Sequence, residues 1–140
     1  MKRLVYGLFL ILLVACVNRA HIDDIHWLNG YWQIQKVVFP DNTEKAYDLG
    51  STIDYISLEY GKGYRKKVQP SLDGTYNTSD DAIRFEVQQR HDDLYLVFSN
   101  GADSWEELLL DLDSTSFAVR NHEDIVYEYQ RFSPLTLDNE

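Results

Sequence analysis

The chain reads as an all-β protein, an antiparallel up-and-down β-barrel of about eight strands preceded by one short N-terminal helical turn. Three observations predict this. From Tyr31 to Tyr129 apolar and polar residues alternate in segment after segment, the period of strands with one buried face. Clusters of Gly, Asn, Asp, Ser and Pro separate the segments by links of hairpin length, which makes consecutive strands antiparallel neighbours. No other stretch of the domain carries the period of a helix of ordinary length, and a meander of short strands hides its edges by closing on itself.

The N-terminus addresses the protein before the fold begins. Lys2 and Arg3 precede an apolar run from Leu4 to Val14 and the small residue Ala15. That run is too short to cross a hydrocarbon core of about 30 Å as a helix, and the pattern is that of an export signal. Leu13-Val14-Ala15-Cys16 resembles the bacterial lipobox, which implies cleavage before Cys16 and a diacylglycerol on its thiol. The expected division is a signal peptide at 1–15, a lipidated tether at 16–23, a barrel at 24–133 and a tail at 134–140. Val17, where an Asp would retain the protein at the inner membrane under the enteric sorting rule, implies an outer-membrane anchor facing the periplasm.

Removal of residues 1–15 from the 140 leaves 125 and takes the formal charge from −10 to −12. That length suits one domain with a modest core, and its acidity disfavours nucleic acid and anionic head groups as partners. Cys16 is the single cysteine, so no internal disulfide forms and stability comes from the core.

Within the domain, Asp24 is placed to cap a helical turn that stops at Gly30 and turns Trp27 and Leu28 toward the core. Alternation then marks Trp32-Ile34-Val38, Ile56-Leu58-Tyr60, Ile83-Phe85-Val87 and Leu94-Leu96-Phe98 as inward faces. It also marks Leu108-Leu110-Leu112, Phe117-Val119 and Ile125-Tyr127-Tyr129, while Tyr64–Val68 and Gly74–Thr78 read as weaker strands. The long connection Asp41–Thr52, with a turn at Ala46-Tyr47-Asp48-Leu49, is placed to lie over the barrel mouth as a lid.

Gly30-Tyr31-Trp32 on the first strand and Tyr129-Gln130-Arg131-Phe132 on the last resemble the lipocalin-like superfamily of small barrels. The resemblance implies that Gly30, Trp32 and Arg131 close the barrel base, with the guanidinium packed across the indole. Such a contact gains cation–π energy while the guanidinium satisfies carbonyls at the barrel end. Over Asp24–Phe132 the chain also resembles the small lipocalin-like lipoproteins of Gram-negative bacteria, through Trp27-Leu28-Asn29-Gly30-Tyr31-Trp32 and Trp105-Glu106-Glu107-Leu108-Leu109-Leu110. The domain is shorter than a typical secreted lipocalin, which points to a cavity that is shallow or absent.

No catalytic constellation emerges, and an enzyme is not expected. His21, His26, His91 and His122 fall in the tether, beside the helical turn and in loops, without metal-ligand spacing. A haem-binding barrel of the nitrobindin type, which shares the Gly-x-Trp start, needs a strand-borne axial His, and neither late histidine is on a strand. No metal or other cofactor is expected. Alternation puts Glu107 and Asp111 opposite Leu108 and Leu110, hence outward, as a solvated face rather than a hydrolase pair. Asp111-Leu112-Asp113 lacks the glycine and spaced oxygens of a calcium loop, and no Gly-x-Ser-x-Gly elbow is present. Arg65-Lys66-Lys67 reads as an exposed hairpin edge that discourages strand addition, or as a docking patch for an anion.

Ten tyrosines leave two readings open, because a ring with a polar tip suits both a dry core and an amphipathic pocket. If the barrel holds a small apolar or amphipathic ligand, the inward candidates are Tyr60, Phe85, Phe98, Tyr127 and Tyr129. The alternative is a filled barrel that binds another envelope protein or inhibits an exported enzyme through its loops. A third reading is a structural role with no ligand.

Overall fold

The computed structural model describes residues 19–48, 52–71, 73–78 and 81–133. The expected signal peptide at 1–15, Cys16, Val17, Leu49 and the expected tail at 134–140 lie outside the described residues. A 3-10 helix, Ile22–Leu28, leads into β1 (Gly30–Val38), β2 (Glu44–Ala46), β3 (Ile53–Glu59), β4 (Lys62–Pro70) and β5 (Tyr76–Thr78). There follow β6 (Ile83–Arg90), β7 (Asp93–Asn100), β8 (Asp103–Leu112), β9 (Ser116–Arg120) and β10 (Val126–Arg131).

Every pairing is antiparallel. The order runs β10-β9-β8-β7-β6-β4-β3-β1, and β1 pairs back onto β10, with Trp32 opposite Arg131 and Ile34 opposite Tyr129. Eight strands therefore close a ring, and closure leaves no open sheet edge in it. The short β2 and β5 extend hairpins from the C-terminal ends of β1 and β4. Those ends point the same way and form the mouth.

The 3-10 helix lies across the opposite end. Its Leu28 is fully buried, the Leu28 carbonyl accepts a 2.8 Å hydrogen bond from the Trp32 indole, and the Asn29 side-chain oxygen accepts one of 2.6 Å from the Leu58 amide. Three expectations need correction here. The cap position is His21, which makes no side-chain capping bond, and Asp24 sits inside the helix with its amide bonded to the His21 carbonyl. Trp27 remains 40% exposed, while Leu28, with Ile22 and Ile25 beside it, packs against the core. Ala20 is buried in the core cluster, so the domain begins inside the stretch expected to be tether.

The lower half of the barrel is filled. Trp32 meets Phe117 edge-on at 4.7 Å, and Phe117 stacks on Tyr129 at 4.5 Å. Ile56, Phe85, Leu94, Leu96, Phe98, Leu109, Leu112 and Val119 complete the cluster.

Two strands depart over part of their length from their expected phase. On β8 the core takes Leu109, and Leu96 and Phe98 stand opposite Glu107 and Trp105. Glu107 is therefore inside the barrel, and Leu108 and Leu110 lie on the outer face. An irregularity between Leu109 and Asp111 returns Leu112 to the interior. On β1 a similar irregularity between Ile34 and Lys36 turns Val37, not Val38, inward opposite Tyr127. Such bulges reverse the side-chain phase of a strand locally.

Candidate functional site

A cavity of about 310 Å³ opens at the mouth. Its walls are Ile34, Ile83, Trp105 and Tyr127, and its floor combines Tyr129 with the charged side chains Asp54, Arg65 and Glu107. Lys66, Lys67, Asp81 and Asn121 also border it.

The floor follows from strand register. Arg65 stands opposite Ile56 on β3 and Ile83 on β6, both core-facing, so the middle residue of the basic run points into the barrel. There the guanidinium donates to both Glu107 oxygens, at 3.1 and 3.2 Å, and its carbon lies 4.3 Å from the centre of the Phe98 ring. The reading of Arg65 as an exposed edge is thus corrected, as is that of Glu107 as a solvated acid. Lys66 does point outward, near the Tyr55 and Tyr64 rings. Lys67 reaches 2.5 Å from Asp54 Oδ1 with its own side chain 63% exposed, whereas that of Asp54 is only 3% exposed.

Burial and partners set the charge states of this layer. Burial is the largest single influence and works to lower the Arg65 value, but Glu107, Tyr129 and Asp54 together outweigh it, so the guanidinium is held above its ordinary range. Burial pushes the Tyr129 hydroxyl far up and raises Tyr127 as well. Both phenols therefore stay protonated at any physiological pH. Among the described residues, Asp54 Oδ2, Gln33 Oε1 and Tyr76 Oη are buried without a hydrogen-bond partner. Of these residues, only Asp54 lines the cavity.

Of the expected ligand-binding residues, Tyr127 and Tyr129 line this cavity. Phe98 lies beneath Arg65, and Phe85 packs 5.2 Å from Phe98 in the filled core. Tyr60 is excluded: it is 96% exposed in the β3–β4 turn with φ 51°, at the opposite end from the mouth. A two-residue hairpin turn needs positive φ there, so the alternation stops one residue earlier. Glu44–Ala46 is a short strand paired with β1, and none of the described residues of Asp41–Thr52 lines the cavity.

At the closed end, Arg131 lies 3.8 Å above the Trp32 ring. Its nitrogens donate to the carbonyls of Asn29 at 2.5 Å, Trp27 at 2.7 Å and Ser114 at 3.1 Å. Gly30 passes beneath with φ 119°, and a Cβ there would come within 2.6 Å of Arg131 Nη1. Gly30, Trp32 and Arg131 thus form one contact set, remote from the mouth.

His21 and His122 are exposed, His26 bonds the Asp23 carbonyl at 3.0 Å, and His91 sits in the β6–β7 turn. Among the described residues no group of three His, Cys, Asp or Glu could hold a metal ion. A wider groove of about 760 Å³ runs along β8 on the outside, lined by Leu108, Leu110, Asp111 and Arg19 among others. None of the unpartnered buried groups lines it.

No family model matches the chain, and no curated protein does. Among solved structures it is similar to a lipocalin-like protein from Bacteroides uniformis ATCC 8492, with TM-score 0.47 and 15% identity over 76% of this chain and 99% of that one. An uncharacterized protein from Bacteroides eggerthii DSM 20697 gives TM-score 0.47 and 13% identity over 75% and 99%. Apocrustacyanin C1 gives TM-score 0.45 and 10% identity over 84% and 67%. The barrel itself is established by its own strand pairing, with β1 closed on β10.

Proposed function

We propose that this chain is an envelope lipoprotein, anchored through Cys16 in the outer membrane and facing the periplasm, whose barrel binds a small amphipathic ligand without transforming it. The observation that carries the reading is the mouth cavity of about 310 Å³, with apolar and aromatic walls over a polar floor. Ligand sites of proteins typically run from about 300 to 1,000 Å³ and combine apolar walls with a few placed polar groups. The volume lies at the low end, so the ligand is a short chain or a single ring system.

A direct test combines native mass spectrometry of the purified protein with analysis of its organic extract. A stoichiometric small molecule lost on Tyr127→Trp supports the reading. An empty extract, with no uptake of a fluorescent amphiphile, replaces it with the protein-interaction reading. That second reading is favoured by one observation, the filled lower half of the barrel. The anchor is tested separately: mass spectrometry of detergent-extracted protein should find an acylated N-terminal Cys16, and a free thiol on a soluble product would remove that part of the proposal.

A further inference from the structure

Among the described residues, the charged groups of the calyx floor are already paired with each other, with one exception. Arg65 gives Nη1 and Nη2 to the two oxygens of Glu107. Lys67 holds Asp54 Oδ1. Asp54 Oδ2 is left buried without a partner, on a side chain that lines the cavity and is 3% exposed. The charges bordering the cavity balance in sign, with Arg65, Lys66 and Lys67 against Asp54, Asp81 and Glu107.

A carboxylate oxygen in such a place is costly to leave unpaired, and a hydrogen-bond donor entering the cavity relieves that cost. A carboxylate ligand finds the reverse situation. The buried guanidinium is engaged, the free oxygen of Asp54 repels it, Lys67 keeps its stem in solvent, and only the neutral Tyr127 and Tyr129 phenols are left to donate to it. We propose that this calyx selects a ligand whose polar end is an O–H or N–H donor, seated on Asp54 Oδ2, and discriminates against carboxylates of the same chain. The proposal rests on the calyx reading above and names the head group that the same site takes.

The test is calorimetric titration of the purified protein with three probes that share one tail: 1-octanol, octylammonium and octanoate. The expected result is that octanol, octylammonium or both bind, with octanoate at least about tenfold weaker, the penalty of leaving a buried polar group mispaired. Binding by octanol identifies a neutral donor, and binding by octylammonium alone a cationic one. Asp54→Asn, which can turn either an acceptor or a donor to the ligand, should bring octanoate close to octanol.

Octanoate binding as tightly as octanol would overturn the donor assignment while leaving the calyx reading intact. Failure of all three probes together with an empty extract overturns the calyx reading and this inference with it. If the variant does not fold, the Asp54 carboxyl carbon resonance of the unmutated protein decides. Displacement of that resonance by octanol or octylammonium supports the assignment, and its constancy on binding refutes it.

Discussion

Arg131 collects three backbone carbonyls from two separate parts of the chain, Trp27 and Asn29 before the first strand and Ser114 in the β8–β9 turn. A lysine has one nitrogen and no planar fork, so it cannot meet all three. Burial lowers the Arg131 value, but a guanidinium remains charged throughout the physiological range. Arg131→Lys should therefore cost about 1–3 kcal/mol, the usual penalty for stranding polar groups. Trp32→Ala, which empties the fully buried base, should cost about 3–5 kcal/mol. Urea unfolding measures both, and a neutral Arg131→Lys would show that the carbonyls find other donors. A second pattern recurs in turns, where Asp41, Asp73 and Asp113 each accept from the amide and hydroxyl of the threonine two residues on. For Asp41 and Asp73 the threonine side chain is the leading cause of a lowered value, and for Asp113 the Thr115 and Ser116 amides are. Their contribution is present above the unfolded value of about 3.9 and is lost as pH falls through the lower folded values. Asp111 has the opposite sign, since burial first, then Asp113 and Glu128, raise it. Stability linked to its protonation is full below the unfolded value and is lost as pH rises through the folded one. Asp111→Asn should thus raise the urea midpoint near neutral pH and Asp113→Asn should lower it, with both differences shrinking in acid. A pH-independent difference for either variant would show that its charge is not the cause.

Among the elements, each of the seven alternating segments in the sequence, and each of the two weaker ones, corresponds to a strand, because period two with turn residues at both ends is a local signal. Phase was less legible. Leu108-Leu109-Leu110 is apolar on both parities, so alternation cannot say which leucines are inside. The answer depends on pairing with β7, where Phe98 stands opposite Trp105 and Leu96 opposite Glu107. The charged floor was illegible for a related reason. Arg65 and Glu107 lie 42 residues apart, and each looks like a surface residue in its own strand, while Tyr127 and Tyr129 could be found because they are apolar on a clear inward phase. β4 carries another constraint that composition hides. Gly63 has an ordinary backbone conformation, but a Cβ there would fall 2.0 Å from the Ser57 carbonyl oxygen on β3. No rotamer change relieves a clash with backbone, so Gly63→Ala must push β3 and β4 apart at a cost of about 1–3 kcal/mol, the range for overpacked sites. Thermal unfolding should show a clear fall in the midpoint, and an unchanged midpoint would mean that the two strands have slack.

At the scale of the whole molecule the barrel is layered along its axis. An arginine-capped indole closes one end, an apolar core fills the lower half, and a charged layer carries the cavity above it. The Arg65–Glu107 pair is the divider, with side chains only 17% and 11% exposed. Desolvation opposes such a pair, and its mutual attraction is often no better than well-packed apolar side chains in the same volume. Removing one partner is different, because it leaves a buried charge alone. Arg65→Met and Glu107→Leu should therefore each cost about 3–5 kcal/mol, whereas the double variant Arg65→Met/Glu107→Leu should recover most of that loss or exceed the parent in stability. If the pair exists to make the floor of a ligand site rather than to hold the fold, the stable double variant should bind the octyl probes with altered head-group preference, since Asp54 would then lack the neighbouring guanidinium. Urea unfolding and calorimetry on the four proteins of the cycle separate the two roles. A double variant as unstable as either single one makes the pair structural, and one that is stable with unchanged ligand preference removes it from recognition.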